Sequence, residues 1–149
     1  MSDISIDKVI KNFKLIDDKK GEENNMKIRK LNTIQKVENL NVVKAIDERG
    51  NGNANHLYKI EAIVPDDEDI PFTLIQFQNG ARKDPNAITG IIDTDLLEIV
   101  RDRLKGFQSG DFATEDNAEA LKHIEIALMY MNKRVMDRYE RNVLGTYEK

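Results

Sequence analysis

Two stretches in the second half of the chain place apolar residues at helical spacing. The first starts at Asp93 and Thr94, and its apolar side consists of Leu96, Leu97, Val100, Leu104 and Phe107. The second starts near Thr114, and its apolar side consists of Leu121, Ile124, Leu128, Met131 and Val135. A glycine-containing stretch from Gly106 to Phe112 lies between them. The pattern predicts a helical hairpin over residues 93–145.

The start of the second helix carries a signal of its own. Thr114 is a preferred N-cap residue, and Glu115 and Asp116 follow it where the helix dipole favours negative charge. The apolar seam behind them is narrow, which suits packing along another helix. We expect the hairpin to mediate homo-oligomerisation.

The first half of the chain shows a different pattern, with apolar runs broken by turn residues. The turn ERGNGNAN (48–55) is rich in Gly and Asn, which readily adopt positive φ and suit a hairpin connection. The runs HLYKIEAIV (56–64) and FTLIQFQ (72–78) are typical of strands, and the connection PDDEDIP (65–71) separates them. The sequence therefore predicts an antiparallel β-meander that leads into the helices, an α+β fold.

The amino-terminal residues form a separate segment. Ile6, Val9, Ile10 and Phe13 are spaced as in a short amphipathic helix, and the polar run GEENN ends it. We expect an accessory helix or arm at residues 1–25 and a single α+β domain at residues 26–149. Its expected parts are the sheet at 26–78, a binding loop at 79–92 and the helical hairpin at 93–145.

Composition excludes several classes of function. The 149 residues carry a formal net charge of −4 and a pI of about 5.3, which argues against a general DNA or RNA binder. The chain has no cysteine, so it has no disulfide, thiolate metal site or cysteine nucleophile. No apolar run approaches the ~20 residues of a membrane span, and the first residues do not resemble a signal peptide. We expect a soluble intracellular protein with no membrane partner.

Candidate catalytic and metal-binding groups are few. His56 and His123 lack a motif partner, so we expect each to be satisfied or solvent-facing. Ser109 lacks the strand-to-helix context of a nucleophile elbow, and the acidic run 66–69 lacks the ligand spacing of a calcium loop. Groups able to react are few, and we expect no catalytic residue, no metal, no cofactor and no enzymatic activity.

Arg134 and Arg138 lie four positions apart near the end of the second helix. Such a fork suits a phosphate or pyrophosphate, although the solvated end of an amphipathic helix would carry the same pair. Asn117 continues the seam backwards and lies 138 − 117 = 21 positions from Arg138, or ~32 Å along one helix. One small ligand can contact both only if two chains supply them, as an antiparallel, isologous dimer would.

Two further residues complete the candidate site. Phe107 lies at the exit of the first helix, where glycines on both sides allow its ring to be presented flat to a base. Arg82 lies with Lys83 in the loop NGARKDPNAITG (79–90), where cations are equally well explained as ordinary surface residues.

Several segments resemble one known family. They are GFQSGDFATEDNAEALKHIEIAL (106–128), KRVMDRYERNVLGT (133–146), IQFQNGARKD (75–84) and DLLEIVRDRLKGFQ (95–108). In this order they are similar to the phage Thoeris anti-defence sponge of the first type described, over about half the chain. Val135, Asn142 and Leu144 depart from that family, which usually has Thr, Gly and Glu there.

The resemblance implies a function. Such sponges bind, without degrading, cyclic ADP-ribose isomers such as glycocyclic ADP-ribose, and some also hold cyclic di- or trinucleotides at separate sites in a dimer-built hexamer. The implied location is the cytoplasm of the infected bacterium.

The resemblance also implies a ligand site. Arg82 and Phe107 would sandwich the adenine by cation–π contact and stacking, and Asn117 would contact a base edge or a ribose hydroxyl. Arg134 and Arg138 would hold the pyrophosphate by charge-assisted hydrogen bonds.

Two other functions fit the same residues. A helical hairpin could bind a host protein, with the Arg pair contacting a carboxylate, or the chain could process a nucleotide enzymatically. Incubating the protein with the signal and then heating it would distinguish the three functions. Recovery of intact signal would indicate the sponge, recovery of altered signal the enzyme, and no depletion before heating the interaction protein.

Overall fold

A computed structural model describes residues 28–35, 41–63 and 70–149. The chain divides into two compact units, one that ends at Gln76 and one that spans Phe77–Lys149. The predicted helix of residues 1–25 and the acidic run at 66–69 lie outside the described residues.

The first unit contains a four-stranded antiparallel sheet. Its strands, listed in chain order, are β1 Arg29–Lys30, β2 Asn41–Ala45, β3 Leu57–Ala62 and β4 Phe72–Gln76. Each strand pairs with the next, so the spatial order is the chain order. The predicted meander is confirmed, and the short β1 adds an edge strand that the sequence pattern did not predict.

The β2–β3 connection explains why this part of the chain reverses direction. Gly52 and Asn53 have φ values of 69° and 59°, the positive values expected of this Gly- and Asn-rich turn. The Asp47 carboxylate accepts hydrogen bonds from the His56 backbone N–H at 2.8 Å and from Asn55 Nδ2 at 3.2 Å. Arg29 Nη2 donates to Asn55 Oδ1 at 2.9 Å and so ties the edge strand to the same turn.

The two histidines differ in their surroundings. His123 is solvent-facing, with 73% of its side chain exposed, as expected. His56 is buried at 7% exposure, and its Nδ1 has no hydrogen-bond partner in the described part of the chain. The expectation of a satisfied or solvent-facing histidine is therefore wrong for His56, because the Asp47 carboxylate binds its backbone and not its ring.

The second unit contains the two predicted helices, α1 at Asp93–Gln108 and α2 at Glu115–Glu140. The Asp95 carboxylate accepts from the Ile92 N–H at 2.9 Å and caps α1. Thr114 Oγ1 accepts from the Asn117 N–H at 3.1 Å, which confirms the predicted N-cap of α2. Gly106 lies inside the last turn of α1, so the elbow is shorter than predicted and spans residues 109–114.

The predicted apolar seam joins the two helices. Its half-buried members are Leu96, Leu97 and Leu104 of α1 and Leu121, Ile124, Leu128 and Met131 of α2. Val100 and Val135 belong to the same predicted apolar sides and are 41% and 38% exposed. Arg101 Nε donates to Glu125 Oε1 at 2.9 Å and adds an ion pair between the helices. No residue of α1 or α2 is fully buried.

A second set of apolar residues lies on the opposite side of α2 from the seam, with charged residues such as Lys122 and Lys133 among them. At about 100° per residue, Ile126, Met129, Tyr130 and Met136 fall together on that side. They are 37%, 65%, 71% and 45% exposed, respectively. Among the described residues, no helix is both long and apolar enough to cross a membrane.

Helix α2 ends through a residue in the left-handed conformation. Asn142 has φ 57°, its N–H donates to Tyr139 O at 2.9 Å, and the Val143 N–H donates to Arg138 O at 3.0 Å. Asn is the commonest non-glycine residue at this position of a helix end, and its carboxamide side chain tolerates positive φ.

We expect Asn142→Ala to lower the free energy of unfolding, because the left-handed conformation costs alanine about 1–2 kcal/mol and asparagine tolerates it better. Asn132→Ala is the matched control, since the same substitution in the middle of α2 should stabilise it by up to about 0.7 kcal/mol. Thermal unfolding of both variants tests this. Equal changes in Tm would show that the backbone at residue 142 does not limit stability.

Candidate functional site

The loop that carries Arg82 is closed by backbone and side-chain hydrogen bonds. Asn79 and Ile88 exchange two backbone hydrogen bonds of 2.9 and 2.8 Å, and the Gln78 N–H donates to Ile91 O at 2.8 Å. The Gln78 side chain donates to Gly80 O at 3.1 Å and accepts from the Gly90 N–H at 3.3 Å. These hydrogen bonds fix the conformation of the predicted binding loop.

Asp84 organises the tip of this loop. One carboxylate oxygen accepts from the Asn86 N–H at 2.8 Å, and the other accepts from the Tyr147 hydroxyl at 2.8 Å. These hydrogen bonds, that of Asn86 first, hold the pKa of Asp84 below its usual value because they favour the charged carboxylate. The contribution of these bonds to stability is thus present above the ordinary pKa of aspartate and is lost as the pH falls through the lowered one.

The loop borders an open cleft of about 470 Å³. The lining residues are Gln78, Arg82, Asp84, Pro85, Ala87, Thr89 and Gly90. Arg82 is exposed and makes no hydrogen bond or ion pair with the described part of the chain. Its guanidinium is therefore available to an anion or a stacked base at the edge of the cleft.

Arg138 holds the end of the chain. Its Nη2 donates to the carbonyls of Val143 and Thr146, each at 3.0 Å, and its Nη1 donates to the carbonyl of Glu148 at 2.7 Å. We call residues 143–149 the C-terminal segment. This segment contacts the binding loop, because the Lys83 N–H donates to Gly145 O at 3.0 Å.

Arg134, one turn before Arg138, has a different environment. It is exposed and has no hydrogen-bond or ion-pair partner among the described residues. Of the two arginines in the predicted fork, Arg134 is the one whose donors are uncommitted.

The elbow gathers the other two predicted site residues. Phe107 is 38% exposed, and its ring meets that of Phe112 edge to face at a centroid distance of 6.5 Å. The guanidinium carbon of Arg103 lies 5.5 Å from the centre of the Phe107 ring. Asn117 Nδ2 donates to Phe112 O at 3.3 Å. Phe107 and Asn117 are thus linked through Phe112.

Gln108 gives the elbow its shape, and sequence analysis did not select it. Its side chain accepts from the Thr114 N–H at 3.0 Å and donates to Thr114 O at 3.1 Å. A glutamine at a helix exit has no distinctive pattern, so no signal in the sequence could have identified this role. Tyr147 was also missed, although Gly80 and Gly145 are a signal that two backbones approach closely there.

The five predicted residues form two clusters on one chain. Arg82, Arg134 and Arg138 lie at the carboxyl end of α2, with Arg82 and Arg138 both next to the C-terminal segment. Phe107 and Asn117 lie at the amino end. Because α2 is continuous from Glu115 to Glu140, the clusters remain separated by the ~32 Å that the spacing of Asn117 and Arg138 requires. The ligand roles of the five residues stay predictions.

The described residues offer no evident metal site. Within residues 28–35, 41–63 and 70–149, no three His, Asp or Glu side chains lie close enough together to hold an ion. The two clusters offer cations that suit an anion, and aromatic faces with an amide that suit a base.

Comparison with known proteins defines the class of the helical unit. Residues 69–136 match the family model described as "Acb2/Tad1, hairpin domain". This stretch is somewhat less than half of the chain, includes α1 and most of α2, and is similar to that hairpin domain.

A curated relative extends this finding. The chain is 40% identical over 75 residues to "Thoeris anti-defense 1" of Bacillus phage SBSphiJ7, an alignment that covers 50% of this chain and 52% of that protein. The chain therefore spans about half the length of the curated relative that it matches. Together the two matches support assignment to the phage Thoeris anti-defence sponge family, the family that the sequence resembles.

The half-exposed ring of Phe107 generates a prediction. If Phe107 stacks on the base of glycocyclic ADP-ribose, as the resemblance implies, Phe107→Ala should weaken binding of that ligand by about 1–3 kcal/mol, the usual value of a stacked base, and Phe107→Tyr should weaken it less. Because the ring is 38% exposed, truncation should cost less stability than the ~3–5 kcal/mol of a core phenylalanine.

Phe107→Leu is the control, since it keeps apolar volume and removes the aromatic face. Isothermal titration measures affinity, and thermal melts without ligand measure stability. If Leu binds as well as Phe, or if Ala lowers Tm strongly without changing the affinity of the folded protein, Phe107 is a packing residue.

Proposed function

We propose that this protein binds a cyclic nucleotide immune signal and sequesters it without degrading it. The signal is glycocyclic ADP-ribose made by Thoeris TIR proteins, and sequestration prevents the host effector from being activated. Two matches support this proposal. Residues 69–136 match the Acb2/Tad1 hairpin domain, and a relative that is 40% identical to this chain over 75 residues is named for Thoeris anti-defence. The protein would act in the cytoplasm of the infected bacterium and would need no cofactor.

The exposed groups of the chain support a small anionic, aromatic ligand. Arg82 and Arg134 are exposed cations without partners in the described ranges, and they lie at the same end of α2 as Arg138. Phe107 offers a half-exposed ring at the other end. The pyrophosphate and the adenine of a cyclic ADP-ribose isomer require these two kinds of group. Cyclic di- and trinucleotides of CBASS offer the same chemistry and are a second class of ligand for the same protein, at a separate site.

Homo-oligomerisation would complete the site. A ligand of nucleotide size cannot span the ~32 Å between Asn117 and Arg138, so two copies of α2 would supply the two clusters of each pocket. The face formed by Ile126, Met129, Tyr130 and Met136 supports a second contact between copies, because exposed apolar patches of this kind mark interaction surfaces. Two different contacts per chain can build a hexamer from dimers.

The same apolar face supports a second candidate function. It could bind a host protein through the hairpin, in which case Arg134 and Arg138 would contact a carboxylate. This candidate requires neither an aromatic ring at the elbow nor a shared pocket.

The proposed function predicts that the signal disappears from solution and returns intact. We expect the protein to deplete free glycocyclic ADP-ribose stoichiometrically, and heating the complex to release the same molecule. Chromatography with mass spectrometry of the supernatant before and after heating measures both. Release of an altered product would identify an enzyme, and no depletion before heating would favour the interaction protein.

The shared pocket predicts complementation between two damaged chains. Asn117→Ala and Arg134→Ala each remove one cluster from a pocket, and the residues lie 134 − 117 = 17 positions apart, or ~26 Å along α2. Refolding the two variants together should restore tight binding at about one quarter of all sites, because half the dimers are mixed and one of their two pockets is intact.

Arg134 is used in place of Arg138 because Arg138 also holds the C-terminal segment. The control is each variant refolded alone, which should show only weak binding by titration. If native mass spectrometry proves mixing and tight binding does not return, the two residues serve separate sites.

A further inference from the structure

The hydrogen bonds of Arg138 decide what else it can bind. A guanidinium has five N–H donors, and it grasps a phosphate bidentately through one of two edges, Nε with Nη2 or Nη1 with Nη2. Nη2 of Arg138 already donates to the carbonyls of both Val143 and Thr146. Both of its hydrogens are therefore committed, and neither edge is open while the C-terminal segment is in place.

Specific hydrogen bonds and two glycines at positive φ form the contact between the C-terminal segment and the binding loop. Gly145 has φ 78°, and its carbonyl accepts from the Lys83 N–H at 3.0 Å. Gly80 has φ 97°, and a Cβ there would lie 2.8 Å from the Tyr147 hydroxyl. That hydroxyl donates to Asp84 Oδ2 at 2.8 Å. Two glycines at positive φ thus allow the segment to lie against the loop, where side chains would strain the backbone or collide.

The segment is held mainly by hydrogen bonds, and two of its apolar side chains remain exposed. Tyr147 is 60% exposed, and Leu144 is 38% exposed. Its side-chain attachments are hydrogen bonds. Those from Arg138 to the carbonyls of Val143 and Thr146 are part-buried, and those from Arg138 to Glu148 O, from Arg141 to Lys149 O and from Tyr147 to Asp84 are exposed. The net value of each is roughly 0.5–3 kcal/mol, because water or a ligand can replace it. A doubly charged pyrophosphate is a stronger acceptor for an arginine than neutral carbonyls are.

From these contacts we propose that the C-terminal segment is an intramolecular competitor for the phosphate-binding edge of Arg138. The segment caps Arg138 in the empty protein, and it leaves when a pyrophosphate group takes its place. This inference rests on the proposed function, in which Arg138 holds the pyrophosphate of the signal. Its consequence is that part of the binding free energy is spent on releasing the segment, so that loosening the segment strengthens binding.

The test uses variants of the 149-residue chain that loosen the segment and leave Arg138 intact. Tyr147→Phe removes the hydrogen bond to Asp84, and Gly145→Ala strains the turn at φ 78°. Tyr139→Phe is the matched control, since Tyr139 is 65% exposed and its hydroxyl has no partner in the described ranges. We expect the two loosened variants to bind glycocyclic ADP-ribose roughly two- to tenfold more tightly than the parent chain, the range that one lost hydrogen bond allows.

Hydrogen exchange measures the release of the segment directly. In the parent chain, saturating glycocyclic ADP-ribose should make the Lys83 amide and residues 143–149 exchange faster, because the bond from Lys83 to Gly145 is broken. Inorganic pyrophosphate is the second probe, and it tests competition for Arg138 without any base. Tyr139→Phe should match the parent chain in every measurement.

The outcomes separate the two proposals. Tight nucleotide binding with unchanged or slower exchange, and with no gain in the loosened variants, overturns the competitor role and leaves the sponge function standing. Faster exchange with pyrophosphate but no binding of the nucleotide overturns the nucleotide specificity and supports the competitor. No response to either probe in any variant overturns both.

Discussion

The continuity of helix α2 is the constraint on which the candidate site depends. A helix rises about 1.5 Å per residue and resists bending, so the groups at its two ends cannot approach each other on one chain. Glu115–Glu140 forms this helix without a break, with the aromatic elbow at one end and the arginines at the other. Under the proposed function, a pocket that uses both kinds of group would need a second chain, so binding would depend on oligomerisation.

Burial in the single chain leads to the same conclusion. A two-helix hairpin has one seam, and a seam covers only one side of each helix. In this chain the seam residues are half-buried, while Met129 and Tyr130 on the other side of α2 are 65% and 71% exposed. Apolar surface of this extent is costly in water, at roughly 25 cal/mol per Å². The proposed contacts between copies would cover the exposed face and complete the pocket.

The carboxyl end of the chain combines structural and proposed binding roles in one side chain. Arg138 satisfies carbonyls that follow the end of α2, which is a common task for a basic residue at a helix C-terminus. The same guanidinium belongs to the predicted pyrophosphate fork with Arg134. A residue with both tasks couples the order of the C-terminal segment to occupancy of the site, because one set of donors cannot serve both acceptors at once.

The sequence by itself determined most of the local structure. Periodicity placed both helices, Gly and Asn placed the β2–β3 turn, and Thr114 placed the start of α2, because these signals act between residues that are close in the chain. It also determined that Asn117 and Arg138 are far apart, since that distance follows from helix geometry alone. The quoted segments indicated the family before any comparison.

Only the tertiary structure decided what the side chains contact. It showed that Tyr147 reaches Asp84, that Gln108 closes the elbow, and that Arg138 donates to three carbonyls. These contacts join residues through loops, and loops have no periodicity from which a partner could be predicted. It also showed that Val100 and Val135 stay exposed, although the pattern places them on the apolar sides of the two helices. Spacing gives the direction of a side chain, whereas its partner depends on the path of the whole chain.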